Sequence, residues 1–205
     1  MKLFALFFVL ISPLFSLEHE LTFSECQKQL TQVCFAEAAQ NTTPSSILLL
    51  GNIDPTLPSF LQQQFPSCQI STTIQSEPVD CVILLNLLEK DPHPEQIVWQ
   101  MHQALKPSGI GVVVVAPLGL MLLTRPFFSI PYRHVHEYKQ LFLQEGMRVL
   151  RVKQMEARVS ADAEQFRKEM ELWLGTEMSP ALVRYLDAVN EVSSSFYTVC
   201  FIVQK

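Results

Sequence analysis

Three short apolar runs dictate most of what this chain can become. They are Ser46-Ile47-Leu48-Leu49-Leu50-Gly51, Val79-Asp80-Cys81-Val82-Ile83-Leu84-Leu85 and Gly111-Val112-Val113-Val114-Val115-Ala116. Each is continuous rather than alternating and stops within a few residues, which is the pattern of a strand buried on both faces. Strands of that kind need helices above and below them, and parallel neighbours need crossover connections. The sequence between the runs supplies the helices. Residues 94–105 place Ile97, Val98, Met101 and Leu105 on one face. They stop at Lys106-Pro107-Ser108-Gly109, where Pro cannot continue a helix and Gly accepts a left-handed backbone. Further helices are expected at residues 24–40, opened by a Ser24/Gln27 capping box, and at 58–65, 136–145, 161–174 and 180–192. Weaker strands are expected at 68–75, 147–154 and 196–203, with an apolar, Pro-interrupted connection over 118–131. The alternation predicts an α/β fold: a Rossmann-like, mostly parallel sheet with helices on both faces.

At 205 residues the chain suits one domain with a substantial core, and 48% hydrophobic against 17% charged residues excludes a disordered protein. The net charge of −5 comes without any Lys/Arg run, so no nucleic-acid partner is expected. Five cysteines, an odd number with no C-x-x-C spacing, indicate neither a zinc site nor a disulfide framework and read as thiols of a reduced interior. The first twenty residues stand apart from the remaining domain, 21–205. Met1-Lys2, the apolar stretch from Leu3 to Ile11, then Pro13 and Ser16 have the layout of a secretory signal, and Leu14 is bulky where a cleavage site wants a small side chain. The expectation is an exported or membrane-anchored protein, with membrane association through this segment. The cytoplasmic alternative is favoured by the thiols.

Residues 79–116 carry a resemblance to a known family. Val79-Asp80 opening a buried strand, Asn86-Leu87-Leu88 after it, Pro92-His93-Pro94-Glu95, Ala104-Leu105-Lys106-Pro107-Ser108-Gly109 and the Val112–Val115 run look like the class I S-adenosylmethionine-dependent methyltransferases. The similarity extends more loosely over residues 46–205. His136 to Gly146 is similar to the family's late helix, and residues 166–186, with Trp173-Leu174-Gly175-Thr176, resemble the helical insert of trans-aconitate and malonyl-carrier-protein methyltransferases. The resemblance implies S-adenosylmethionine as cofactor and methyl transfer to a small-molecule carboxylate. It places the cofactor outside the carboxyl ends of the strands, at Gly51, Asn52, Asp54, Leu85 and Asn86.

The sequence also departs from the family. The turn after the first run is Gly51-Asn52-Ile53-Asp54-Pro55, with one glycine where the family has three, and its acid lies after the turn. Ser71-Thr72-Thr73-Ile74-Gln75 offers no acid for ribose hydroxyls, and the interval from Gly51 to Asp80 has room for only one helix and one strand. The sheet is therefore expected to be shortened by about one helix-strand unit. The alternative function is a catalytically inactive, exported or membrane-tethered binding protein on the same scaffold.

Glu89 and His134 are the candidates for groups facing a substrate. Glu89-Lys90 also reads as a solvated ion pair, and His134 also reads as a helix cap. Arg133 is a candidate for binding a carboxylate. His134 and His136 have no third ligand placed by spacing, so no metal is expected.

Overall fold

The three apolar runs lie side by side as β1 (Ser46–Gly51), β3 (Val79–Leu85) and β4 (Leu105–Val115), all parallel. In this computed structural model the described residues are 29, 31–36, 44–51, 53, 55–74, 76–115, 133–158, 164, 168, 171, 179–184 and 195–205. The signal-like segment, the 118–131 connection and most of the helices expected at 161–174 and 180–192 lie outside them. A short parallel strand, β2 (Gln69–Ser71), flanks β1, and β6 (Ser195–Gln204) runs antiparallel between β4 and β5 (Arg148–Arg158). Among the described residues the sheet has six strands in the order β2-β1-β3-β4-β6-β5, an α/β architecture. One strand, β2, separates β1 from β3 along the chain, as the short interval between them requires.

Alternate side chains feed two layers, which is why the runs are apolar throughout. Leu48, Val82, Leu84, Val113 and Val115 pack against Ile97, Val98 and Met101 of α2 (Pro94–Ala104) and Tyr138 and Phe142 of α3 (Val135–Gln144). On the opposite face, Ile47, Leu49, Cys81, Ile83, Leu85, Val112 and Val114 meet Leu57 and Leu61 of α1 (Leu57–Gln64). Cys34 and Phe35, within the helical residues 31–36, complete that layer. Each fully buried branched side chain contributes about 1.5–3 kcal/mol, so apolar burial dominates stability. It says little about register, because the centres of the runs are apolar at every position.

Register is set by Asp80. One carboxylate oxygen accepts hydrogen bonds from the Ser45 and Ser46 backbone N–H groups (2.9 and 3.1 Å) and from both hydroxyls (2.6 and 3.0 Å). The other accepts the Lys106 ammonium at 2.7 Å. Three strands are thereby joined at their amino ends through one side chain. Partial burial raises the Asp80 carboxyl, but Lys106 and the serine donors outweigh it and hold the group well below the usual carboxylate range.

Several boundaries differ from expectation. The Lys106-Pro107-Ser108-Gly109 segment does not precede β4 but lies inside it. Val79 faces Leu105 and Cys81 faces Ile110, so the intervening residues bulge out, with Ser108 at φ 63°. That bulge delivers Lys106 to Asp80. β2 is three residues rather than eight, because the Ser71 hydroxyl donates to the Thr73 carbonyl at 2.9 Å and accepts the Thr73 N–H at 3.2 Å, turning the chain off the sheet. β5 runs longer than its apolar residues suggested, following the full length of β6 in antiparallel pairing. Lys205, the final residue, donates its ammonium to the His102 and Leu105 carbonyls (2.7 and 2.9 Å), satisfying the open end of α2.

Replacing Asp80 with Ala is expected to destabilise the fold by about 2–3 kcal/mol in denaturant unfolding, through loss of charge-assisted hydrogen bonds. Because the folded-state carboxyl is the more acidic one, its contribution is complete above the unfolded pKa near 4 and is lost as pH falls through the folded value. Asp80→Asn should therefore remove much of the acid sensitivity of unfolding between about pH 4 and 2.

Candidate functional site

The carboxyl ends of β1 and β3 approach more closely than side chains would permit. Gly51 pairs with Leu85 and has φ 101°, and a Cβ built on it would lie 2.0 Å from the Leu85 carbonyl oxygen. Both the backbone angle and the missing volume demand glycine here. This is where ligands of open α/β sheets bind, outside the carboxyl ends of adjacent strands. Asn52 and Asp54, the other expected contacts of the same loop, lie outside the described residues.

Asn86 follows Leu85 directly and turns the chain off the sheet. Its φ is 50°, a left-handed conformation that Asn tolerates better than most residues. Its backbone N–H donates to the Val114 carbonyl at 2.9 Å, anchoring the turn to β4. The side chain is buried, with the residue 1% exposed, and its Oδ1 accepts no hydrogen bond. An unsatisfied buried acceptor costs roughly 1–3 kcal/mol, a cost that a bound donor would remove.

The turn continues through Leu88 and Glu89, both fully buried, to the half-buried Lys90, whose N–H donates to the Leu87 carbonyl at 3.3 Å. The expectation of a solvated Glu89-Lys90 pair is therefore corrected, since Glu89 is fully buried. Burial pulls the Lys90 ammonium down to about 8, against the opposing pull of the Glu89 charge. Asp91 then accepts the His93 N–H at 2.7 Å and leads into α2, which opens on Pro94.

The head of α3 comes to the same end of the sheet. Arg133 directs Nη1 to the Asp91 carbonyl at 3.5 Å. The Glu89 turn and the Arg133-His134 segment, more than forty residues apart in the chain, are thus neighbours. His134 is exposed at the N-cap of α3, where the Glu137 carboxylate accepts its backbone N–H, and its ring stacks on His136 with centroids 5.5 Å apart. This geometry gives His134 the cap role. Among the described residues no three His, Cys, Asp or Glu side chains gather as a metal site.

The structure thus brings Gly51, Leu85 and Asn86 together and sets Glu89 in the turn that follows. The depth of Glu89 was not legible from residue type, although the preceding Leu87-Leu88 pair, continuing the apolar run past Asn86, was the available signal.

No family model matches the chain, and no curated protein is similar to it. Its structure is similar to many solved ones. A protein of Galdieria sulphuraria described as a sarcosine dimethylglycine methyltransferase superposes with a TM-score of 0.59 at 11% identity, over 87% of this chain and 85% of that one. The [4+2]-cyclase SpnF gives 0.57 at 13% identity, over 93% and 84%. Geranyl diphosphate C-methyltransferase of Streptomyces coelicolor, solved with S-adenosylhomocysteine, Mg2+ and geranyl diphosphate, gives 0.54 at 7% identity, over 87% and 79%. The chain has the Rossmann-like fold of the class I S-adenosylmethionine-dependent methyltransferases.

Gly51→Ala is expected to destabilise the protein by about 2–4 kcal/mol, measured by chemical unfolding, because the added methyl meets backbone rather than a movable side chain. The Lys90 ammonium should titrate near pH 8, read by NMR of the 13C-methylated lysines, and Glu89→Gln should lower that midpoint further. A Lys90 midpoint at the ordinary lysine value would contradict the burial of this turn.

Proposed function

We propose that the chain binds S-adenosylmethionine at the carboxyl ends of β1 and β3 and transfers its methyl group to a small molecule. The observation that carries this reading is the glycine-only contact of Gly51 with the Leu85 backbone, next to the orphan Asn86 acceptor. Gly51, Leu85 and Asn86 would hold the cofactor, with Asn52 and Asp54 in the same loop. The group supplies an electrophilic methyl when bound. The residues of the chain bind, orient and exclude water, and positioning is the main requirement for such a transfer. The fold itself is compatible with several chemistries, so the site and not the architecture supports this reading.

The carboxylate acceptor implied by residues 166–186 belongs to the same reading, as does the likeness to trans-aconitate and malonyl-carrier-protein methyltransferases. That segment lies almost wholly outside the described residues, so trans-aconitate is simply one acceptor to assay.

A second reading, a catalytically inactive binding protein that is exported or tethered to a membrane, is favoured by the β2 edge. There the Ser71 hydroxyl folds back on Thr73, and residues 71–75 hold no acid to take ribose hydroxyls, Glu77 coming only before Pro78. The signal-like residues 1–20 support it as well, since the methyl donor is a cytosolic metabolite. Among the described residues no helix is long and apolar enough to cross a membrane.

Calorimetric titration with S-adenosylhomocysteine separates the two readings. Micromolar binding is expected, and no heat up to millimolar ligand would reject the methyltransferase reading. A mature N-terminus near Leu17 would favour the exported protein.

A further inference from the structure

The two strands that would flank a nucleoside end at different heights. In the parallel pairing of β1 with β2, Ser71 lies opposite Leu48, and β2 stops there while β1 continues three residues further, to Gly51. At the rise of a parallel strand this is a step of about 10 Å. Gly51 at the top of the step is exposed, whereas Leu48 at its foot is buried. Among the described residues no strand fills the step, because β2 is the last strand on this side of the sheet and the chain leaves it after Ser71.

The groups at the foot of the step are not arranged to read a sugar. In open α/β sheets an acid some twenty residues after the glycine turn takes the ribose hydroxyls, and residues 71–75 hold none. The Ser71 hydroxyl is committed to its own turn, donating to the Thr73 carbonyl and accepting the Thr73 N–H. Ile74 follows with an exposed side chain that has no hydrogen-bonding atom. Glu77 comes only before Pro78 and is exposed.

We propose that the nucleoside site of this chain does not read the sugar: it takes adenosine thioethers of ribose and deoxyribose alike, with the hydroxyl edge of the sugar over the step beyond Ser71 and open to water. This rests on the methyltransferase reading for the ligand being an adenosine thioether, and adds what the site selects in it. Hydroxyls that stay hydrated on binding contribute little to affinity, so removing or capping them changes little. A carboxylate accepting from them would make a charge-assisted hydrogen bond, whose loss weakens binding at least about tenfold.

The test titrates the full wild-type chain calorimetrically with S-adenosylhomocysteine, its 2′-deoxy form and its 2′,3′-O-isopropylidene form. All three dissociation constants are expected to agree within about fivefold, below the loss that a single charge-assisted hydrogen bond would cause. A larger loss for the 2′-deoxy form overturns the inference, because some group of the chain, Asp54 and Glu77 included, then reads the hydroxyl. A larger loss for the isopropylidene form also overturns it, because the edge of the sugar is then enclosed. In both cases S-adenosylhomocysteine still binds and the methyltransferase reading stands. Silence of all three up to millimolar ligand rejects that reading and the inference together.

Discussion

The sheet depends on a single carboxylate. Asp80 gathers five donors from the beginnings of β1 and β4, and it does so from the beginning of β3, so three parallel strands share one polar origin. Apolar burial favours many alignments of runs as uniform as Ile47-Leu48-Leu49-Leu50 and Val112-Val113-Val114-Val115, since sliding one residue still buries a branched side chain. A fixed anion with matched donors favours one alignment. The bulge of β4 follows from the same requirement, because Lys106 reaches Asp80 only when residues 106–109 leave the regular ladder.

Anchoring at the amino ends leaves the carboxyl ends free to carry irregular backbone. Gly51 and Asn86, both at positive φ, sit there side by side on neighbouring strands, and one is glycine by necessity of space. The buried Asn86 amide and Glu89 carboxylate also lie at this end, and Asn86 Oδ1 accepts no hydrogen bond there, whereas at the opposite end Asp80 is paired with Lys106. Such a division, with the anchoring charges at one edge of the sheet and an open acceptor at the other, suits an open α/β sheet that hosts ligands. The β2 side is different: a three-residue strand ending in a hydroxyl turn provides little wall and no acid.

How much was readable in advance varies with the physics of each element. β1, β3 and β4 were legible because burial on both faces leaves no choice of residue type, and α2 because its apolar positions recur at helical spacing. The Gly51–Leu85–Asn86 juxtaposition was legible through the family resemblance and the position of strand ends. The short β2, the long β5 and the bulge in β4 were not, since each depends on a partner strand or a hydroxyl several residues away. For Glu89 the residue type pointed to solvent, and the turn after Asn86 took it into the interior.

By itself, then, the sequence determined that a parallel α/β sheet would form, which segments would build its centre and where that centre would offer a ligand site. Periodicity and continuous apolarity are local properties, and they survive without knowledge of neighbours. Tertiary structure alone decided the register through Asp80 and Lys106, the orphaning of Asn86 Oδ1 and the meeting of the Glu89 turn with the head of α3. Those are relations between residues distant in the chain, and hydrogen-bond satisfaction and dielectric environment exist only once the chain has closed around them.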